Sequence, residues 1–185
     1  MKIYDFSGDK DTASERMVIL PGSFNPLHDG HLRLSEIASS QSCQNAYLCK
    51  HIFINSQSKY SFLMLAYFLL IFNPGKTVII SNQPYFYKKA EIFPGSAFVI
   101  GADTAVRLIN PKYYGGSYSQ MLEILLGCKR TGCTFLVGGR LVDGVFKVLE
   151  DLDIPQELND MFISIPLEKF RMDISSTEIR KSKNM

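Results

Sequence analysis

The stretch Pro21–His31, PGSFNPLHDGH, concentrates groups that can hold an anion. It carries two of the chain's three histidines, His28 and His31, and it follows the apolar run Met17–Leu20. Gly22 lets a backbone approach a ligand closely, and Ser23 and Phe24 follow it with backbone N–H groups. Pro26 stiffens the turn. Gly30 and His31 open a helical pattern whose unpaired N–H groups and dipole favour negative charge. Two imidazoles three residues apart can donate hydrogen bonds to a phosphate at that helix end, and the negative charge favours their protonated form. Two other readings stand beside this one. The HxxH spacing could be half of a zinc site, although no third or fourth ligand is near it in sequence. Both side chains could also be incidental surface residues.

A second cluster is Ile174–Arg180, ISSTEIR. Ser175 and Glu178 have the spacing of a capping box, which many helices use. That account gives no role to Arg180 or to the successive hydroxyls of Ser175, Ser176 and Thr177. Hydroxyls, free helix N–H groups and a guanidinium together make a phosphate cradle, with Glu178 then capping or facing water. In FVIGADT, Gly101 follows an apolar run and would admit a base or sugar. Asp103 can accept a hydrogen bond from a ribose or amide, or cap the next helix. Arg140, at the end of VGGR, repeats the order of apolar run, glycine and cation; a plain surface arginine is the alternative. Lys59 stands before an apolar helical pattern and is either a phosphate ligand or solvated. His51 lies in a strand pattern and reads as structural.

Strands are expected at 17–20, 46–54, 77–80, 97–100, 133–139 and 162–165. Helical patterns cover 31–40, 59–72, 104–109, 118–126 and the segment from 174. The turn-rich stretch Asn110–Ser117 reads as a candidate mobile lid. Alternating β and α segments imply an α/β protein with a parallel sheet covered on both faces. Ligands of such sheets lie beyond the carboxyl ends of the strands, where the winding changes direction. The chemistry-bearing residues follow expected strand ends.

The chain has 185 residues, enough for one domain with a real core. Apolar residues make up 46% and charged residues 21%, and the net charge is +2 with no basic run. This argues against a nucleic-acid tail or a polybasic membrane patch. Residues 1–16 are polar and read as an extension rather than a signal peptide. Phe62–Phe72 is apolar over about half of the ~20 residues a membrane span needs, so it reads as a buried core helix or the cover of a dimer seam. The four cysteines form no CxxC pair and are expected to be reduced, mostly buried thiols of a cytoplasmic protein.

The first cluster resembles the GxFxPxHxGH signature of the HxGH-type nucleotidyltransferases, which include the nicotinamide- and nicotinate-mononucleotide adenylyltransferases. Gly22, Phe24, Pro26, His28, Gly30 and His31 all match it. Ser175, Ser176, Thr177 and Arg180 are similar to that family's C-terminal ISSTxIR element, and Gly101 with Asp103 to its GxD. The resemblance implies a Rossmann-like, doubly wound parallel sheet in a single domain. It implies transfer of a nucleoside monophosphate from a triphosphate to a phosphorylated acceptor, with release of pyrophosphate and with Mg²⁺ as cofactor. His28 and His31 would contact the triphosphate, Ser176, Thr177 and Arg180 its β/γ side, and Lys59 falls where relatives often carry a phosphate-binding lysine. The implied partners are ATP and a mononucleotide, without nucleic acid or membrane, in a monomer or homo-oligomer. The alternatives are a cytidylyltransferase, another HxGH transferase, or a nucleotide-binding protein without turnover. Mononucleotide adenylyltransferases commonly stack a tryptophan on the pyridine ring, and this chain has none. Tyr113, Tyr114 and Phe86 hold loop positions from which an aromatic ring could take its place.

Overall fold

The computed structural model describes residues 3–5, 17–22, 24, 28–42, 46–51, 78–81, 83–142 and 144–171. In chain order the elements are β1 (Ile3–Asp5), β2 (Val18–Gly22), α1 (Asp29–Ser42), β3 (Ala46–His51) and β4 (Val78–Ser81). There follow α2 (Phe86–Ile92), β5 (Ala97–Gly101), α3 (Ala102–Leu108), α4 (Tyr118–Arg130) and β6 (Thr134–Gly138). A hairpin, β7 (Arg140–Val142) and β8 (Val145–Lys147), precedes the last strand, β9 (Phe162–Ser164). Short 3₁₀ turns cover Pro111–Tyr114, Leu149–Asp151 and Gln156–Met161.

The main sheet has seven strands in the order β1-β4-β3-β2-β5-β6-β9, every neighbouring pair parallel. The protein is therefore α/β. The chain winds outward from β2 through β3 to β4, then returns to lay β5 on the other flank of β2. The direction of winding reverses between β2 and β5. Those two strands pair only at Val18↔Ala97 and Ile19↔Phe98. Their outer ladders run on to Gly22↔Lys50 and Gly101↔Gly138. The sheet thus has a break in its central ladder at the carboxyl ends, the place where such sheets hold ligands.

Continuous apolar runs make these central strands, because a parallel strand under helices is buried on both faces. Side chains alternate between the faces. Ile19, Phe98, Ile100, Phe135 and Val137 belong to one cluster with Ala90, Phe93, Met121, Leu125 and Leu158. Val18, Leu20, Val99 and Leu136 belong to another with Leu34, Ile37 and Ala38 of α1. α1 thus covers one face, and α2 to α4 the other.

The observed elements differ from the sequence expectation in detail. Helix α1 starts at Asp29, two residues before His31, so both histidines flank its first turn. Three residues of the polar extension, Ile3–Asp5, pair with β4 as an edge strand. Helix α2 and the β7–β8 hairpin have no counterpart in the periodicity. The expected lid, Asn110–Ser117, holds a 3₁₀ turn: the Asn110 side chain accepts from the Lys112 N–H, and Gly115 closes it at φ 65°. The helix expected at 59–72 and the one from 174 lie outside the described residues. Cys128 and Cys133 are buried free thiols, as expected. Among the described residues no helix is long and apolar enough to cross a membrane.

Candidate functional site

Strand β2 ends at Gly22, and the chain must turn sharply to start α1. Phe24 takes a left-handed backbone, φ 45°, at this turn. Bulky residues rarely do so, and such local strain concentrates at functional sites. The Phe24 ring folds back over Gly22, where a Cβ would stand 2.8 Å from the ring edge. Gly22 thus makes room for a neighbouring side chain. The same ring meets His31 edge-on, with centroids 5.0 Å apart.

His28 and His31 lie ring against ring, centroids 3.8 Å apart and 30° from parallel. The His28 N–H points at His31 Nδ1, 3.4 Å away, and the His31 N–H donates to the His28 carbonyl at 2.9 Å. An accepting Nδ1 leaves the proton of neutral His31 on Nε2. His28 is only 9% exposed, yet among the described residues neither ring nitrogen has a hydrogen-bond partner. Buried polar atoms are nearly always paired, so two orphans on one ring call for an explanation.

Arg140 supplies a cation beside them. Its Cδ would lie 3.4 Å from a Cβ on Gly101, and the Asp103 Oδ1 fills the same space at 2.6 Å. Gly101 therefore lets Asp103 and Arg140 close over the end of β5. Burial lowers the His28 pKa, Arg140 lowers it further, and Asp29 partly opposes them. Burial, then His28, then Arg140 push His31 down to about 3. Both rings are thus neutral at pH 7, beside a guanidinium with no ion pair to a carboxylate among the described residues.

Asp103 does not cap α3: the N-cap is Gly101, with no side-chain bond. Its Oδ2 instead accepts from Arg107 Nη2 at 2.9 Å. Arg107, which the sequence reading passed over, is half-exposed and also lines a cavity of about 840 Å³. Tyr113, Tyr114 and Phe86 all line that cavity too, with Tyr85. The Tyr114 hydroxyl donates to the Leu108 carbonyl at 2.8 Å, which fixes its ring; burial raises its pKa to about 12. The i, i+4 spacing of Asp103 and Arg107 was the available sequence signal.

The structure thus gathers Gly22, Phe24, His28, Gly30, His31, Gly101, Asp103 and Arg140 around the carboxyl ends of β2 and β5, with Gly30 buried in the first turn of α1. Ser23, Lys59, Ser175, Ser176, Thr177 and Arg180 lie outside the described residues. Among the described residues no group of three His, Cys, Asp or Glu side chains could hold a metal ion, so the zinc reading gains no third ligand there. No protein-family model and no curated protein matches the chain.

Proposed function

We propose that the chain is a nucleotidyltransferase with a Rossmann-like, doubly wound sheet. It moves a nucleoside monophosphate, AMP from ATP, to a phosphorylated acceptor and releases pyrophosphate. The acceptor we favour is nicotinamide or nicotinate mononucleotide. One observation carries this reading: the buried His28 ring, both nitrogens unpaired among the described residues, stacked on His31 beside Arg140, where β2 and β5 part. Imidazole nitrogens without partners and a guanidinium without an ion pair among the described residues suit a polyphosphate, whose oxygens accept from all three groups. The N-terminus of α1 adds a positive dipole end.

In the proposed reaction an acceptor phosphate oxygen attacks the α-phosphorus. The bond from that phosphorus to the bridging oxygen breaks, and pyrophosphate leaves in line. No protein nucleophile is required, so catalysis is positioning and charge stabilisation. His28 and His31 donate N–H groups to the α- and β-phosphates as negative charge grows there. Ser176, Thr177 and Arg180 are assigned to the β/γ side. Asp103 is engaged by Arg107 and offers little to a metal; Mg²⁺ would arrive on triphosphate oxygens and neutralise their charge. The aromatic cavity that Arg107 lines is assigned to the acceptor ring, with Tyr113, Tyr114 and Phe86 in place of an indole.

The test is pyrophosphate release from ATP or CTP with a panel of phosphorylated acceptors. Release with ATP and a pyridine mononucleotide is the expected result. Release with CTP alone would move the assignment to a cytidylyltransferase. Tight nucleotide binding with no pyrophosphate from any pair would refute turnover.

A further inference from the structure

We infer that Arg107 selects an acceptor whose aromatic ring bears a negative charge, through the Nη1 arm of its guanidinium. This rests on reading the cavity as the acceptor pocket.

The walls of the cavity are aromatic and aliphatic, and among its described lining residues Arg107 alone carries a charge. Among those residues there is no Asp or Glu to neutralise a bound cation or repel an anion. The guanidinium is held by the first turn of α3. Nη2 donates to Asp103 Oδ2 at 2.9 Å and to Thr104 Oγ1 at 3.0 Å, and Nε donates to the Asp103 carbonyl at 3.2 Å. These bonds use three of five donors. Nη1 has no partner among the described residues and keeps both of its N–H groups. Asp103 and Thr104 thus orient a planar fork while leaving one arm unused. Exposed ion pairs at this helical spacing contribute little to stability, so the fold itself places little demand on an arginine here.

A ring carboxylate accepts from both N–H groups of that arm, and its charge strengthens the bonds. The matching carboxamide has one acceptor oxygen, and its NH₂ group faces a residue that can only donate. Tyr85 and Tyr113 line the same cavity as Arg107 and are 60% and 59% exposed, so both are open to a flat acceptor ring.

Nicotinate and nicotinamide mononucleotide form a matched pair differing in this one group. Their binding to the full chain is measured by calorimetry, and their transfer by pyrophosphate release, in the wild type, Arg107→Gln and Arg107→Lys. The wild type is expected to prefer the acid by about tenfold or more. Arg107→Gln should bring the acid-to-amide ratio close to one, and Arg107→Lys should restore part of it. A wild type that binds neither compound, or both equally, overturns the inference. So does an Arg107→Gln chain that loses both in proportion. Acid-selective binding without pyrophosphate from any triphosphate would remove the transfer reading and keep this role for Arg107. Turnover with equal kcat/KM for acid and amide would do the reverse.

Discussion

At the scale of single residues, the site is a pair of imidazoles kept neutral by their surroundings. Burial and the Arg140 charge disfavour protonation of both rings. Between pH 6.5 and the lowered folded-state values, the unfolded chain binds protons that the folded chain refuses, so stability must fall as pH drops through this window. For His31, with its pKa near 3, the slope is at most about 1.4 kcal/mol per pH unit. Urea midpoints at pH 7, 5.5 and 4.5 measure it. The His31→Gln chain should lose less stability over that range than the wild type, and an equal loss would contradict the shift. On the proposed reading a bound polyphosphate reverses the local field, so nucleotide affinity should rise as pH falls from 7 to 6. Turnover should be more sensitive still: His31→Ala should lower kcat about 10²- to 10³-fold with an unchanged circular dichroism spectrum. A variant with near-normal rates would remove His31 from the chemistry. That His28 and His31 stand together was legible in the sequence, because a three-residue spacing at a helix start brings two side chains to one place. Gly22 reads in the sequence as a place for a ligand to approach the backbone, whereas in the structure a neighbouring side chain takes that space. That the Phe24 ring fills this space depends on a left-handed backbone, which no local pattern announces.

At the scale of elements, legibility followed burial. Strands β2, β5 and β6 are short apolar runs ended by glycine, and each appeared within a residue or two of its expected bounds. Helix α2 did not appear in the periodicity. Its seven residues, FYKKAEI, have no clean apolar face. Tertiary contacts hold it instead: Phe86 packs edge-on to Phe98 and Phe135 at 5.7 and 5.4 Å, and the buried Lys89 reaches back to the Gln83 and Pro84 carbonyls. Lys89 thereby fixes the segment carrying Pro84 and Tyr85, one wall of the cavity. Helix α4 is the opposite case, with its cap written in the sequence. Ser117 accepts from the Gln120 N–H at 3.2 Å. Ser117→Ala should cost about 1 kcal/mol by urea denaturation. Because α4 also lines the cavity through Ile124 and Leu125, a looser first turn should weaken acceptor binding more than nucleotide binding. A stability loss with both affinities reduced alike would show that the helix end acts only on the fold.

At the scale of the whole molecule, one sheet separates two cores, and each core supports a different half of the proposed reaction. Val18, Leu20, Val99 and Leu136 back α1, which carries His31. Phe98 and Phe135 on the opposite face back Phe86 and hence the aromatic cavity. Adjacent residues of β6 therefore point to different functions, an arrangement visible only once the sheet faces are known. Phe135→Ala should cost about 3–5 kcal/mol and Leu136→Ala about 2–5 kcal/mol. These values overlap, so stability alone will not tell the two apart. Binding should. Below the temperature at which either variant unfolds, Phe135→Ala frees the Phe86 ring and should raise the acceptor KM while leaving the nucleotide Kd within about twofold. Leu136→Ala removes support beneath α1 and should weaken nucleotide binding and lower kcat, with the smaller effect on acceptor KM. If each variant instead lowered both parameters in the same proportion, the two faces of the sheet would not serve separate substrates, and the assignment of cavity and histidine cluster to two halves of one reaction would have to be given up.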